Sequence, residues 1–361
     1  MSVTQELTTV VVPIRNEVRS IDTTLSDIVA QTYENLEVLV VDGESDDGTR
    51  ELLERWVASD DRIRVLTNPK RTAASALNVG LAEARGQWLI RVDGHVRIPS
   101  NYVEVIVGHL ASGRWGGVGG RKDAVGSGPA AEAISAVLGS PWGVGGSRYH
   151  YAQESVEVDH VPFGAYPVEL ARELGGWDQR LVANQDFEFD ARVREAGYRL
   201  LVDPAIATDW HCRERIVDLA RQYLRYGRGK ADVARLHPRT FRVRHGAPPA
   251  LVASLLVGVV IIPWSKAPLV ILLTTYGLVV VVASAAVARS VRSGAGRIRV
   301  PAALVTTHVA WGTGFWMGVA RLARHGFRVP NLPEDDLARW GSPRWDLDLG
   351  SDAIPGDSPV G

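Results

Sequence analysis

Apolar positions in the first two-thirds of this chain change period repeatedly. Residues 8–13 form a β-branched run of strand length, and across residues 21–30 the apolar positions recur at helical spacing. A second apolar run at 37–42 leads into Asp46-Asp47-Gly48-Thr49 and a helical pattern from about Arg50 to Ala58. A third short strand is predicted over 62–67, a helix over 73–84 and a fourth strand over 87–92. Continuous apolar strands alternating with helices predict an α/β fold with a mostly parallel sheet, and such sheets bind ligands outside the carboxyl ends of their strands.

From residue 248 the pattern changes character. Acidic residues vanish as far as Ala320, and three apolar stretches follow, at 251–262 with flanks, 268–288 and 301–320. Each approaches the roughly 20 residues that cross a bilayer, and 269–288 carries no charge. The third contains His308, Trp311 and Trp316, which suit a packed or an interfacial helix as well as a spanning one. Arg289, Arg292, Arg297 and Arg299 follow the second stretch, so the positive-inside rule places that loop, and with it the N-terminal domain, in the cytosol. Arg321, Arg324 and Arg328 conflict with this, so either the third stretch is re-entrant or interfacial or the charge bias is imperfect. The expected organisation is a cytosolic domain over 1–240, a membrane domain over 241–328 with two to three transmembrane or interfacial helices, and a polar tail over 329–361. That corresponds to a multi-pass protein of the cell membrane.

A formal charge of −1 over 361 residues argues against a nucleic-acid partner and favours a small-molecule or membrane-bound one. The single cysteine, Cys212, excludes an internal disulfide and a multi-cysteine zinc site. Met1 to Leu7 is polar and the apolar run after it is short, so no secretory leader is expected.

Chemistry gathers at the predicted strand ends. They carry Pro13-Ile14-Arg15-Asn16-Glu17, then Asp42-Gly43-Glu44-Ser45-Asp46-Asp47-Gly48, then Asp93-Gly94-His95. No Gly-x-Gly-x-x-Gly fingerprint and no Walker loop is present, so ordinary dinucleotide and P-loop readings are disfavoured. Carboxylates hold ribose hydroxyls and base N–H groups, or a metal that bridges to diphosphate. Asp93 and His95 stand at i and i+2 of an extended segment and so point the same way, where they could grip one divalent cation; an Asp-Gly pair after an apolar run also reads as a plain turn. Lys70 and Arg71 supply cations near this edge, with a solvated surface role open for Lys70.

Taken in order, these motifs resemble the family 2 glycosyltransferases of GT-A fold, the nucleotide-diphospho-sugar transferases with a Rossmann-like, mostly parallel sheet. The carriers are Val12-Pro13-Ile14-Arg15-Asn16-Glu17, the Asp42 turn, Leu77-Asn78-Val79-Gly80, Asp93-Gly94-His95 in place of Asp-x-Asp, Gly175-Gly176-Trp177-Asp178, Gln185-Asp186 at the head of an acidic helix, and Gln222-Tyr223-Leu224-Arg225-Tyr226. Trailing apolar helices and the Arg-Val-Asp-Gly-His variant are similar to exopolysaccharide glycosyltransferases of the succinoglycan type. The resemblance covers residues 8–230.

It implies Asp186 as general base, Asp93 and His95 as metal site, and Pro13, Arg15, Glu17, Asp42, Arg71 and Asp93 on the nucleotide sugar. It further implies Trp177, Gln185, Gln222, Arg225 and Tyr226 on the acceptor or the diphosphate. His95 in place of a carboxylate tilts the expected cation toward Mn2+ without excluding Mg2+. His211 is a candidate for the site, while His160 and His237 read as structural. The implied activity is inverting transfer of a hexose from a nucleotide-diphosphate sugar, a UDP-sugar first, to a lipid-linked saccharide acceptor in cell-surface or exopolysaccharide synthesis. Two alternatives stay open: transfer to polyprenyl phosphate itself, which the Gln-x-x-Arg-Tyr motif disfavours, and a non-catalytic sugar-nucleotide-binding membrane partner, which Asp186 disfavours. Donor and acceptor specificity is expected in Gly- and Ser-rich loops such as 116–151, ordered by substrate.

Overall fold

The computed structural model describes residues 6–181 and 183–325; the expected polar tail at 329–361 lies outside the described residues. The first half alternates as expected: β1 (Thr8–Ile14), α1 (Ile21–Val29), β2 (Leu36–Asp42), α2 (Thr49–Ser59), β3 (Ile63–Thr67), α3 (Ala73–Glu83) and β4 (Trp88–Arg91). Then come α4 (Tyr102–Ala111), β5 (Gly117–Val125), α5 (Gly128–Leu138), α6 (Pro141–Val144), β6 (Val156–Val158), β7 (Ala165–Pro167) and α7 (Val168–Glu173). The chain continues through α8 (Gln185–Glu195), β8 (Leu200–His211), α9 (Ile216–Leu236), α10 (Val243–Ile261), α11 (Ala267–Val287) and α12 (Gly294–His325).

The strands make one sheet in the order β3-β2-β1-β4-β7-β5-β8-β6. Parallel pairing links β3, β2, β1 and β4, with Thr8 beside Leu36 and Trp88, so Ile14 and Asp42 end at one edge. Beyond β4 the sheet turns mixed, because β7 runs antiparallel to both β4 and β5 and β6 antiparallel to β8. Alternate residues of β1 serve opposite faces. Val10, Val12 and Ile14 pack with Ile21, Leu25 and Leu53, while Val11 packs with Leu39, Ala76 and Leu77. Burial on both faces is why β1 reads as an unbroken apolar run. Gly80 is where α3 crosses β1, since a Cβ there would come 2.5 Å from Val11 Cγ1.

Residues 116–151 differ from the expected loop. They hold β5, parallel to β8, and α5, whose Ala131, Ala133, Ile134 and Val137 are fully buried. Glycines disguised the strand: Gly117 fits against Leu200 and Tyr166, and Gly120 against the carbonyl of Ile206.

The C-terminal helices are of two kinds. Among the described residues, two helices are long and apolar enough to cross a membrane: Val243–Ile261, with mean hydropathy 1.4 in its best window, and Ala267–Ser290, with 2.4. They form a hairpin that exposes Leu256, Val260, Ile271, Leu278 and Val281. Both ends of the hairpin return to the α/β domain. Arg244 at the start of α10 pairs with Asp159, and Ser293 after α11 donates from N (3.0 Å) and Oγ (2.6 Å) to Glu132 of α5. The third helix, α12, lies along α5 and α9 instead, burying Val300, Ala303 and Leu304. Gly227 of α9 and Gly314 of α12 allow backbone contact, and Arg321 pairs with Asp232. The arginines at 289–299 and at 321–324 therefore follow segments that both return to the α/β domain.

Candidate active site

Strand ends build the site. Past Ile14, Asn16 takes the left-handed conformation (φ 57°), and the first two loops are laced together. Asn16 N donates to Ser45 Oγ at 2.8 Å, Asp46 N donates to Asn16 Oδ1 at 3.0 Å, and Glu17 N donates to Thr49 Oγ1 at 2.9 Å. The turn after β4 packs against this lace. A Cβ on Gly94 would lie 2.6 Å from Ile14 Cγ2 and 3.2 Å from Glu17 Cγ, so only glycine lets Asp93 and His95 sit this close to the end of β1.

Arg91, the last residue of β4, organises the centre. Its guanidinium, 7 % exposed, donates from Nε to Asp93 Oδ1 (2.6 Å) and from Nη2 to Asp93 Oδ2 (3.1 Å). Its Nη1 reaches both oxygens of Asp186 at 2.6 Å. Burial opposes the Arg91 charge, but the two carboxylates outweigh it and raise the pKa. Asp93 is also opposed by burial, and is held below the usual carboxylate range by Arg91, with His95 and Lys122 contributing. His95 Nδ1 lies 2.9 Å from Glu17 Oε1. Burial disfavours its protonation, yet Glu17 and Asp93 raise its pKa above the ordinary value.

Asp186 enters from the first turn of α8, where the helix dipole favours a carboxylate. The other acids of α8 face elsewhere. Asp190 is fully buried and accepts from His160 Nδ1 (2.7 Å), Val161 N (2.9 Å) and the Tyr166 hydroxyl (2.7 Å), which pins the helix to the sheet. Burial raises its pKa in spite of those bonds. Glu188 is engaged by Arg192 at 2.7 Å and His237 at 2.9 Å. Asn184, left-handed at the start of α8, donates to the Tyr226 carbonyl at 3.2 Å and so ties α8 to α9.

The same cavity holds a group of cations. Lys122 Nζ lies 4.1 Å from the Trp210 ring centroid and 4.8 Å from that of Phe163, and burial lowers its pKa. Arg225 lies over the Tyr226 ring at 5.9 Å, and the Tyr226 hydroxyl accepts from Gln222 Nε2 at 3.0 Å. Burial favours the neutral phenol, but Lys122, Arg225 and Arg213 together hold Tyr226 below the usual phenol range. Such a surround suits an anion.

Asp93, His95, Glu17, Gln185, Asp186, Gln222, Arg225 and Tyr226 all line one cavity of about 1620 Å³, together with His160, His211 and Lys122. Pro13, Arg15, Asp42, Arg71 and Trp177 are not among its lining residues. Asp42, 1 % exposed, accepts from Ser45 N and Oγ and from Arg50 Nε. Arg71 pairs with Glu44 at 2.5 Å. Trp177, 3 % exposed, exchanges backbone hydrogen bonds with the Asn78 amide and stacks on Phe189 at 4.5 Å. Lys122, Lys230 and the role of Arg91 were missed by sequence reasoning. For Arg91 the signal exists, since alternation along β4 puts it on the face of Asp93.

The donor set can be weighed against a divalent cation. Among the described residues no cluster of three or more His, Cys, Asp and Glu side chains forms a self-sufficient metal site. Asp93 and His95 supply two donors, and a diphosphate would have to complete the shell. Glu17 on His95 Nδ1 is the arrangement that fixes an imidazole to bind metal through Nε2. The residues fit such a cation.

Residues 9–173 match the family described as glycosyl transferase family 2. The succinoglycan biosynthesis protein ExoA of Rhizobium meliloti is 30 % identical over 316 residues, spanning 85 % of this chain and 93 % of that protein. A Methanococcus voltae enzyme named dolichyl N-acetyl-alpha-D-glucosaminyl phosphate 3-beta-D-2,3-diacetamido-2,3-dideoxy-beta-D-glucuronosyltransferase is 26 % identical over 236 residues, 63 % of this chain and 73 % of that one. In fold, the mannosyltransferase PcManGT of Pyrobaculum calidifontis, solved with GDP-mannose and Mn2+, superposes with TM-score 0.53 at 21 % identity, covering 84 % of this chain and 86 % of that one. The chain belongs to glycosyltransferase family 2, has the GT-A fold and is a transferase.

Proposed function

We propose that the chain is an inverting hexosyltransferase that moves a sugar from a nucleoside-diphosphate donor, UDP-linked first, to a lipid-linked saccharide at the cytosolic face of the cell membrane. One observation carries this reading: Arg91 joins Asp93 and Asp186 at one end of a cavity whose other walls are cations and the apolar helices α10 to α12. In a single displacement the acceptor hydroxyl oxygen bonds to the anomeric carbon as the bond from that carbon to the diphosphate breaks. The hydroxyl proton passes to Asp186, whose carboxylate Arg91 orients. Negative charge grows on the leaving diphosphate, where Lys122, Arg213 and Arg225 compensate it. A divalent cation held by Asp93 and His95, Mn2+ before Mg2+, supplies further charge compensation when bound. Glu17 keeps the His95 ring in place.

The α10–α11 hairpin supplies the membrane anchor. At 1.5 Å per residue, helices of this length span about 28–32 Å, close to a hydrocarbon core of about 30 Å. Residues 1–240 with α12 form the cytosolic body, and the arginines at 289–299 stay on that side. Support for a lipid-linked acceptor comes from the likeness to the Methanococcus enzyme, whose name specifies a dolichyl-phosphate-linked substrate, and support for polysaccharide synthesis from the likeness to the succinoglycan biosynthesis protein ExoA.

The test is a donor screen on the full chain in nanodiscs, scoring nucleoside diphosphate release with polyprenyl-diphosphate-linked saccharides, with Mn2+ or Mg2+. Acceptor-dependent release that falls by about 10³-fold in Asp186→Asn is expected. A mild-acid-labile polyprenyl monophosphate sugar as product, or Asp186→Asn at wild-type rate, would overturn it.

A further inference from the structure

Past the catalytic centre the cavity continues along α9 toward α10, and its wall there holds a charge the proposed reaction does not use. Lys230 is 5 % exposed, lines the cavity, and its Nζ has no hydrogen-bond partner. The ammonium lies 3.4 Å from the ring centroid of Phe187, the residue next to Asp186. Arg244, Arg242 and Arg194 act on it electrostatically, and the carboxylate of Asp159, which acts the other way, already binds Arg244 and Arg242. A buried cation without a partner, in a surround of excess positive charge, is expensive unless an anion completes it.

We propose that Lys230 and Arg244 bind the diphosphate of the polyprenyl-linked acceptor, at a subsite separate from that of the donor's diphosphate. This rests on the glycosyltransferase reading above. Displacement at carbon requires the entering oxygen and the leaving phosphate on opposite sides of the anomeric centre. The donor's cations, Lys122, Arg213 and Arg225, surround Tyr226; Lys230 stands one helical turn further along α9 toward α10, against the ring of Phe187. An acceptor sugar with its hydroxyl at Asp186 would carry its diphosphate toward Lys230. The same cavity is lined beyond Arg244 by Pro248 and Leu251 of α10 and Trp311 of α12, an apolar exit toward the membrane hairpin.

The experiment measures binding to the full chain in nanodiscs by calorimetry, with farnesyl diphosphate as the lipid probe and inorganic pyrophosphate and UDP–Mn2+ as controls. Farnesyl diphosphate should bind in the presence of saturating UDP–Mn2+. Lys230→Met and Arg244→Gln should each weaken it by about tenfold or more, Lys230→Arg by less than about threefold, with UDP–Mn2+ affinity unchanged in all three. Unchanged farnesyl diphosphate affinity in Lys230→Met would make the lysine a packing residue of Phe187 and overturn the proposal. So would competition between UDP–Mn2+ and farnesyl diphosphate, pyrophosphate binding as tightly as the lipid form, or no lipid binding at all. Loss of UDP–Mn2+ binding in the wild type would instead refute the underlying reading.

Discussion

Replacing Arg91 tests the centre of the site most directly. Its guanidinium makes three contacts of 2.6 Å and one of 3.1 Å to two carboxylates, and the Asp93 and Asp186 side chains are only 16 % and 22 % exposed. Arg91→Met leaves both carboxylates facing each other without their shared cation. Breaking a buried pair costs about 3–5 kcal/mol, and partial solvation of the two acids, with Lys122 near Asp93, argues for the lower end, about 3 kcal/mol. At roughly 2–4 °C per kcal/mol for a chain of this class, the apparent Tm should fall by about 6–12 °C. Adding Asp93→Asn and Asp186→Asn should recover most of that loss, because the uncompensated charge goes with them. Arg91→Lys should fold, but a point charge cannot hold two carboxylates in fixed orientation, so nucleoside diphosphate release should drop by about 10²-fold. Scanning fluorimetry on nanodisc-embedded protein and a coupled release assay give both numbers. Arg91→Met melting within about 2 °C of wild type, or Arg91→Lys within threefold in rate, would refute the argument that one guanidinium positions both acids.

Three further outcomes follow from other parts of the molecule. Glu17→Gln should weaken Mn2+ binding in the presence of UDP by about 10–100-fold, read by electron paramagnetic resonance, since the carboxylate fixes the His95 ring; unchanged affinity would place the cation elsewhere. Burial pushes Lys230 down to about 7 from an ordinary 10.5. The buried charge therefore costs the folded state fully below pH 7, and the cost fades as pH rises to 10.5. Lys230→Met without ligand should then raise the apparent Tm more at pH 6 than at pH 10, and an equal shift at both would contradict the assignment. Gly227→Ala should lower the apparent Tm and hydrogen-exchange protection in α12, because its Cβ would meet the Trp311 carbonyl oxygen at 2.1 Å; an unchanged melt would show that the α9–α12 contact is slack.

Legibility from sequence divides along the sheet. The strands β1, β2 and β4 are buried on both faces, β3 is an edge strand with Val65 exposed, and the boundaries of all four are readable within a residue or two. The far half is not, because β6 and β7 have three residues each and β5 is broken by glycines that fit neighbouring groups. The same division holds at the site. Asp93, His95 and Asp186 were locatable from ordered motifs. Asp42, Arg71 and Trp177 were grouped with them, but each side chain or backbone is taken up by a partner, Arg50, Glu44 and Asn78, that only the fold reveals. Lys122 and Lys230 lie in no motif; what marks them is burial among rings, a property of tertiary packing.

The composition changes from residue 248, but the cavity crosses that point. Gln222, Arg225, Tyr226 and Lys230 come from α9, Arg244 and Leu251 from α10, Tyr276 from α11, and His308 and Trp311 from α12. With α12 packed along α5 and α9, the C-terminal helices form one wall of the space into which Asp186 projects. A soluble α/β domain alone would leave that wall open to water, raising the local dielectric around Lys122, Arg225 and Lys230 and weakening every charge interaction that the burial of these cations strengthens. The apolar hairpin and the polar centre are thus coupled through a shared cavity, and the C-terminal helices take part in the electrostatics of the site.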